Sequence, residues 1–448
     1  MRASRLGGPV TAALAVAVIA WSMLTATGAL GASWHLDSAF GKRGVAGLPV
    51  RETGPDSLYP IPGPGAKGTL LATGPQDSLF AGGFADHRRG SFLVAHLSAR
   101  GRLVSGFGGG GLVTVPAIYA TPERPPRIFA LAGGKLLVVG LDRADHLTVD
   151  RLTARGRLDR SFGHDGVAQY ALPGVHGNAI IAAAAVEADG DILAAYYQRE
   201  VPEPVNEPRI SPGLGEGPIE LVRLLPTGGL DRSFGHGGLL TAAALSPPAT
   251  GELLAAGLTI APDGSILIAY EQATIPNGIP VEAPAVQELS PAGVADRSFG
   301  EESVAQLPFL PRFENVDSSL FSGLFVLPEG AVEASFGGGG QLFRFSSAGT
   351  PDAAFGTAGH TSEGPAVLAL AVAPAGETFA LDSASKLTVG GTLNGGTPDP
   401  ALGGSRGKRF SAGLPKARPE EQQLSTELLA GNDTVTILVG EEVARISR

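Results

Sequence analysis

Gly156-Arg157-Leu158-Asp159-Arg160-Ser161-Phe162-Gly163-His164-Asp165-Gly166 decides the reading of this chain, because it recurs. Leu230-Asp231-Arg232-Ser233-Phe234-Gly235 repeats its centre. So do Leu36-Asp37-Ser38-Ala39-Phe40-Gly41, Ala295-Asp296-Arg297-Ser298-Phe299-Gly300 and Pro351-Asp352-Ala353-Ala354-Phe355-Gly356. Two degenerate copies complete the set: Val104 replaces the Asp ahead of Phe107-Gly108, and Leu402 replaces the Phe after Asp399. The copies follow one another at about 60 residues on average, a period that points to a repeat architecture.

Working outward, each period holds four short strand-like runs. Around the quoted copy these are Arg127 to Ala132, Lys135 to Leu141, His146 to Thr153 and Gly166 to Ala171, with Gly133-Gly134 turning the first into the second. That first turn recurs in step as Ala188-Asp189-Gly190-Asp191, Pro262-Asp263-Gly264-Ser265, Pro328-Glu329-Gly330-Ala331, Pro374-Ala375-Gly376-Glu377 and Gly431-Asn432-Asp433-Thr434. Asp-Gly punctuation between apolar runs signals hairpins. Four-stranded units repeated around an axis make a β-propeller. The ends agree. The last unit supplies strands over Leu424 to Ala430, Thr434 to Val439 and Glu442 to Ser447 and lacks its motif and fourth strand, which Leu36 to Gly41 and Val45 to Leu48 provide. The sequence therefore predicts an all-β, seven-bladed propeller of four-stranded antiparallel blades, closed by an N-terminal strand joining the last blade. Such closure hides the edges that an open sheet exposes.

The units Gly156 to Gly166 and Gly229 to Gly238 resemble the bacterial delta-60 repeat, which is similar to the NHL class of propeller repeats. The resemblance spans Leu36 to Ser447. It implies a propeller of secreted or surface bacterial proteins and carries no catalytic residues to transfer. The motif itself reads as structural. Asp37, Asp159, Asp231, Asp296 and Asp352 can accept backbone N–H bonds two residues on and fix a turn. Phe40, Phe162, Phe234, Phe299 and Phe355 are expected between blades, each removing about 2–3 kcal/mol worth of apolar surface from water.

The chain has 448 residues with 65 Gly, 35 Pro, no Cys and a formal net charge of −10. Absent cysteine excludes disulfides, thiolate metal sites and cysteine nucleophiles. The negative balance argues against nucleic acid and anionic lipid as partners. The amino terminus reads as an export signal: Arg2 and Arg5, an apolar run from Val10 to Leu24, then small residues to Ala32. Residues 1–32 are thus expected to be a cleaved signal peptide or a retained anchor. Residues 33–448 are expected to form one propeller domain of a secreted or cell-surface protein, as a monomer.

With strands named A to D from the axis outward, the short repetitive turns join A to B and C to D on one face. The long irregular loops fall on the other, where binding concentrates. They include Pro49 to Gly68, Pro116 to Pro126, Arg199 to Pro218, Glu271 to Pro284 and Leu307 to Ser318. Their candidate binding residues are Tyr59, Tyr119, Phe309 and Phe313 for stacking on a sugar or peptide, and Glu203, Glu207 and Arg209 in a proline-rich loop. The expectation is a non-catalytic binding scaffold for an unknown protein or glycan, with no cofactor and no metal. The alternative is a propeller glycoside hydrolase or lyase with carboxylates, such as Glu314 and Asp317, at a central pocket. Gly403-Gly404-Ser405-Arg406-Gly407 matches a nucleophile elbow in letters only, since it lies between strands and lacks the strand-to-helix turn that presents the serine.

Overall fold

The computed structural model describes residues 34–448 apart from 49–69, 87–89, 122–123, 176, 178, 199–218, 242–251, 275–280, 307–322, 337–340, 363–366, 383–387, 403–410, 412–413, 415–425, 432 and 440–441. The expected signal segment, Tyr59, Glu203, Glu207, Arg209, Phe309, Phe313, Glu314, Asp317 and the Ser405 motif all lie outside the described residues.

Seven antiparallel sheets follow one another along the chain. Blade 1 comprises Leu71–Thr73, Leu79–Asp86, Ser91–Leu97 and Leu112–Val115; blade 2 comprises Arg127–Ala130, Leu136–Leu141, His146–Leu152 and Val167–Ala171. Blade 3 runs Ala179–Val186, Ile192–Gln198, Glu220–Leu224 and Leu239–Thr241, and blade 4 Glu252–Ile260, Ile266–Thr274, Val281–Leu289 and Val304–Gln306. Blade 5 runs Gly323–Val326, Val332–Phe336, Gln341–Phe345 and His360–Ser362. Blade 6 shows Val367–Val372, Thr378–Asp382 and Thr388–Thr392 among the described residues. Blade 7 is built from both ends of the domain. Thr426–Ala430, Thr434–Val439 and Glu442–Ser447 come from the carboxyl end, and the last of these pairs with His35–Leu36 and Val45–Gly47 from the amino end. The protein is a seven-bladed β-propeller closed by this joint blade.

One expectation is corrected. Glu271 to Pro284 is mostly strand: Ile266–Thr274 pairs with Val281–Leu289 up to Thr274 opposite Val281. Pro284 lies just past the end of the outer strand, which reaches only to Ala285. A missing N–H is tolerated at such an edge, so the proline does not break the hairpin.

Within each blade the motif does what its residues dictate. The N–H of Ser161, Ser233, Ser298, Ala354, Ala39 and Ala401 donates to the Asp two positions earlier at 2.8–3.1 Å. Phe40, Phe107, Phe162, Phe234, Phe299 and Phe355 are buried, as is Leu402 in the degenerate copy. Gly163 and its equivalents Gly41, Gly108, Gly235, Gly300 and Gly356 take positive φ. A Cβ on Gly163 would come within 2.1 Å of the Val167 carbonyl, so only glycine fits.

A second repeated residue welds the blades together. Eight positions before the motif Asp, strand C carries Arg151 in blade 2, Arg223 in blade 3 and Arg344 in blade 5, and Arg445 holds the same place in blade 7. Each guanidinium stacks on its own blade's motif Phe, at 4.2–4.7 Å from the ring centre. Each also donates to a carbonyl of the following blade: Arg151 to Pro226 at 2.9 Å, Arg223 to Pro291 at 2.6 Å, Arg344 to Asn394, and Arg445 to Ala99 at 2.9 Å. The motif Gly runs beside it, as when Gly163 N–H donates to Thr227. In blades 2 and 3 the motif Asp completes the hub. Arg151 Nε donates to Asp159 Oδ2 at 3.0 Å and Arg223 Nε to Asp231 Oδ2 at 2.8 Å. The Lys135 ammonium bonded to Asp159, with Ser161 and Arg151, holds that carboxyl well below the usual carboxylate range despite burial.

Candidate binding groove

Lys135, in an A–B turn, meets Asp159, in a C–D turn, so the short turns share one face. The B–C and D–A connections occupy the other. On that second face, between blades 1 and 2, lies a depression of about 440 Å³. Three segments line it: Gly90–Ser91 from the B–C loop of blade 1, Thr114 to Tyr119 at the D–A connection, and Asp142 to Ala144 from the B–C turn of blade 2.

Each wall is pinned by hydrogen bonds. Tyr119 N–H donates to the Leu141 carbonyl at 2.8 Å, and Ala120 N–H to that of Gly90 at 3.0 Å. Asp142 accepts from the N–H groups of Ala144 at 2.8 Å and His146 at 3.0 Å, and His146 Nδ1 lies 3.0 Å from its other oxygen. Ile118 packs where a Cβ on Gly140 would stand, 2.9 Å from it. Such short, cross-braced connections preorganise a surface and lower the ordering cost of binding.

Tyr119, expected as a binding residue, forms part of this groove. Its ring lies against Gly90, where a Cβ would approach Cδ2 to 2.0 Å, and the Arg143 guanidinium sits 4.2 Å from its centre. Arg143 was not singled out from sequence. The only signal for it is topological: a B–C turn abuts the preceding D–A loop once blades stack, and nothing in Asp142-Arg143-Ala144-Asp145 alone distinguishes it from a solvated turn.

Beneath the groove lies a group the sequence also hid. Asp150, on strand C of blade 2, is fully buried. Its Oδ2 accepts from the N–H of Ala117 in the groove floor at 3.1 Å, while Oδ1 has no hydrogen-bond partner among the described residues. Burial pushes its carboxyl up to about 6, with the Ala117 bond opposing. A raised carboxylate pKa penalises the folded state wherever the group is ionised. That penalty is present above about pH 6 and fades as pH falls toward 4. Asp150→Asn is therefore expected to stabilise the protein by about 1–2 kcal/mol at pH 8, after allowing for an unsatisfied amide, and to change little near pH 4. Urea unfolding of both forms at the two pH values measures this; equal stability at pH 8 would contradict it.

At the inner strands, polar groups tie blades together. Arg127, at the start of blade 2, donates to the Pro125 carbonyl at 3.1 Å and to that of Ala182 in blade 3. Burial lowers its guanidinium to about 10, against the charges of Tyr197 and Glu427. Glu427 in blade 7 accepts from the N–H groups of Leu70 and, at 2.8 Å, Leu71 where blade 1 begins. Among the described residues, no group of three or more His, Cys, Asp and Glu is placed to hold a metal ion.

Fold and groove together define a seven-bladed β-propeller with a braced side groove on its loop-bearing face. No family model matches the chain, and no curated protein matches it. Among solved structures it is similar to the polysaccharide lyase Uly1, at 10% identity over 93% of this chain and 97% of that one, with a TM-score of 0.49. It is similar also to a streptogramin B lyase, at 12% identity over 87% and 95% with a TM-score of 0.43. The Dos1 propeller matches at 11% identity over 86% and 93%, again at 0.43. These likenesses concern the fold alone.

Proposed function

We propose that this chain is an exported, non-catalytic binding module of the delta-60 repeat type, and that it takes a glycan or peptide ligand in the groove between blades 1 and 2. The observation that carries this reading is the groove itself. It is concave, lies on the face that bears the irregular loops, and presents an aromatic ring from the connection between blades 1 and 2 and a guanidinium from blade 2 on a hydrogen-bonded frame. Recognition sites of this kind combine aromatic surface with a few fixed polar groups. Thr114, Ser91 and the Tyr119 phenol supply hydroxyls suited to a polar ligand. The N-terminal run of Arg2, Arg5 and the apolar stretch that follows supports export.

The test is a screen of the full chain against glycan and peptide arrays, followed by titration of any ligand found. Tyr119→Ala and Arg143→Ala are each expected to weaken binding about tenfold or more, the usual cost of truncating an anchor residue. A ligand that binds wild type and both variants equally would place the site elsewhere.

A further inference from the structure

The short-turn face, opposite the groove, carries its charges in two sectors. The motif turns of blades 7, 1 and 2 span residues 37–44, 98–111 and 153–166. The first exposes Lys42 and Arg43, and the second Arg100 and Arg102. The third exposes Arg155, Arg157 and Arg160. These turns are stitched edge to edge. The Gly41 N–H donates to the Arg100 carbonyl at 2.8 Å, and the Gly108 N–H to that of Arg155 at 2.9 Å. The cations therefore form one row across three consecutive blades. Among the described residues, none of them has a carboxylate within ion-pair distance. The hub guanidiniums beneath are different, since Arg151 and Arg445 lie on the buried Phe162 and Phe40 rings. Asp159 in the third turn is buried and bonded to Lys135 at 2.8 Å. That leaves Asp37 and Asp165 as the carboxylates that reach the surface within the row.

Farther round the same face the sign reverses. Asp189, Asp263 and Glu329 are exposed in the A–B turns of blades 3, 4 and 5, and Glu301 and Glu302 in the motif turn of blade 4. Arg297, the exposed cation of that turn, pairs with Glu302 at 3.5 Å. The net charge of −10 thus conceals a local excess of cations in the row. Crowded like charges attract a multivalent counter-ion, and the small ions it releases drive the association. The division of the face selects the shape of that counter-ion. A flat anionic membrane would press on both sectors and be repelled by the acidic one. A linear polyanion can follow the row and leave the acidic sector untouched. The phenylalanines of the row, Phe40, Phe107 and Phe162, are buried, so no such ring is open there to stack on a nucleic acid base. All the cations but Lys42 are arginine, whose planar fork takes a carboxylate through two parallel hydrogen bonds.

We propose that the motif turns of blades 7, 1 and 2 form a docking row for a linear anionic polysaccharide, one that carries carboxylates along its chain. Arg100, Arg102, Arg155 and Arg157 hold its middle, with Lys42 and Arg43 on one side and Arg160 on the other. The rigid turns fix the spacing of the charges, so the protein orders only side chains on binding. The row is on the face opposite the groove and does not depend on what the groove binds.

The test titrates the purified full chain with polygalacturonate by calorimetry, at about 50 and about 200 mM salt. Neutral dextran, oligothymidylate and phosphatidylglycerol vesicles are titrated beside it. Saturable binding of polygalacturonate is expected, weaker by about tenfold or more at the higher salt, with none to dextran. The double reversal Arg100→Glu, Arg155→Glu is expected to weaken binding about tenfold or more, whereas Arg297→Glu in blade 4 leaves it unchanged. If the reversal does not fold, Arg100→Gln with Arg155→Gln reads the same loss. Absent binding of polygalacturonate, or a folded row variant that binds as wild type does, would overturn the proposal. So would equal binding of oligothymidylate, or vesicle binding that the reversal removes.

Discussion

Replacing Arg344 with Met is expected to lower the unfolding free energy by about 3–5 kcal/mol, the range seen when one partner of a buried ion pair is removed. The reason is Glu333. This carboxylate on strand B of blade 5 is fully buried. Arg344 donates to it from Nε at 2.8 Å and also from Nη2, and the Thr378 hydroxyl of blade 6 donates at 2.5 Å. Arg344 also reaches Asn394 of blade 6 through both its carbonyl and, at 2.7 Å, its side-chain oxygen. Without the guanidinium, a charge stays buried with no cation facing it, a state far costlier than the net worth of the pair. The paired change Glu333→Leu with Arg344→Met is expected to recover most of the loss, because an apolar replacement leaves nothing uncompensated. Arg297 and Glu302 offer the contrast. Their side chains are 81% and 76% exposed at 3.5 Å separation, and breaking that pair should leave stability nearly unchanged. Urea unfolding of the four forms checks the account; an Arg344→Met protein as stable as the Arg297→Met one would refute it.

What could be read from sequence and what could not divide along one line. Asp159, Phe162 and Gly163 act within a few residues of themselves, so their roles as turn acceptor, core residue and positive-φ glycine follow from local chemistry. Strand limits behave likewise: Thr434–Val439 and Glu442–Ser447 fall where the alternation put them. Arg344 and Arg223 escaped notice because their partners are brought to them only by strand pairing and by the stacking of the next blade, and an isolated Arg on a strand reads as a solvated charge. Arg143 and Asp150 escaped for the same reason. Asp150 in His146-Leu147-Thr148-Val149-Asp150 occupies a position that alternation alone does not bury, and only stacking of blade 2 against the Ala117 segment does so. Glu271 to Pro284 misled in the opposite direction, since three prolines and a glycine there resemble a loop while 271–274 and 281–284 keep pairing.

The central claim, a ring closed by its two ends, carries everything else, because an open array would not hold the blades in register. The chain has no cysteine, so one engineered pair reports without interference. Val45 and Ala444 face each other across the joint blade. In the double variant Val45→Cys, Ala444→Cys, mild oxidation is expected to form one disulfide within the monomer. Closing a loop of ~400 residues should then stabilise the fold by up to about 5 kcal/mol, seen as a higher melting temperature that reductant reverses. Free thiols after oxidation, or disulfides only between molecules, would contradict closure.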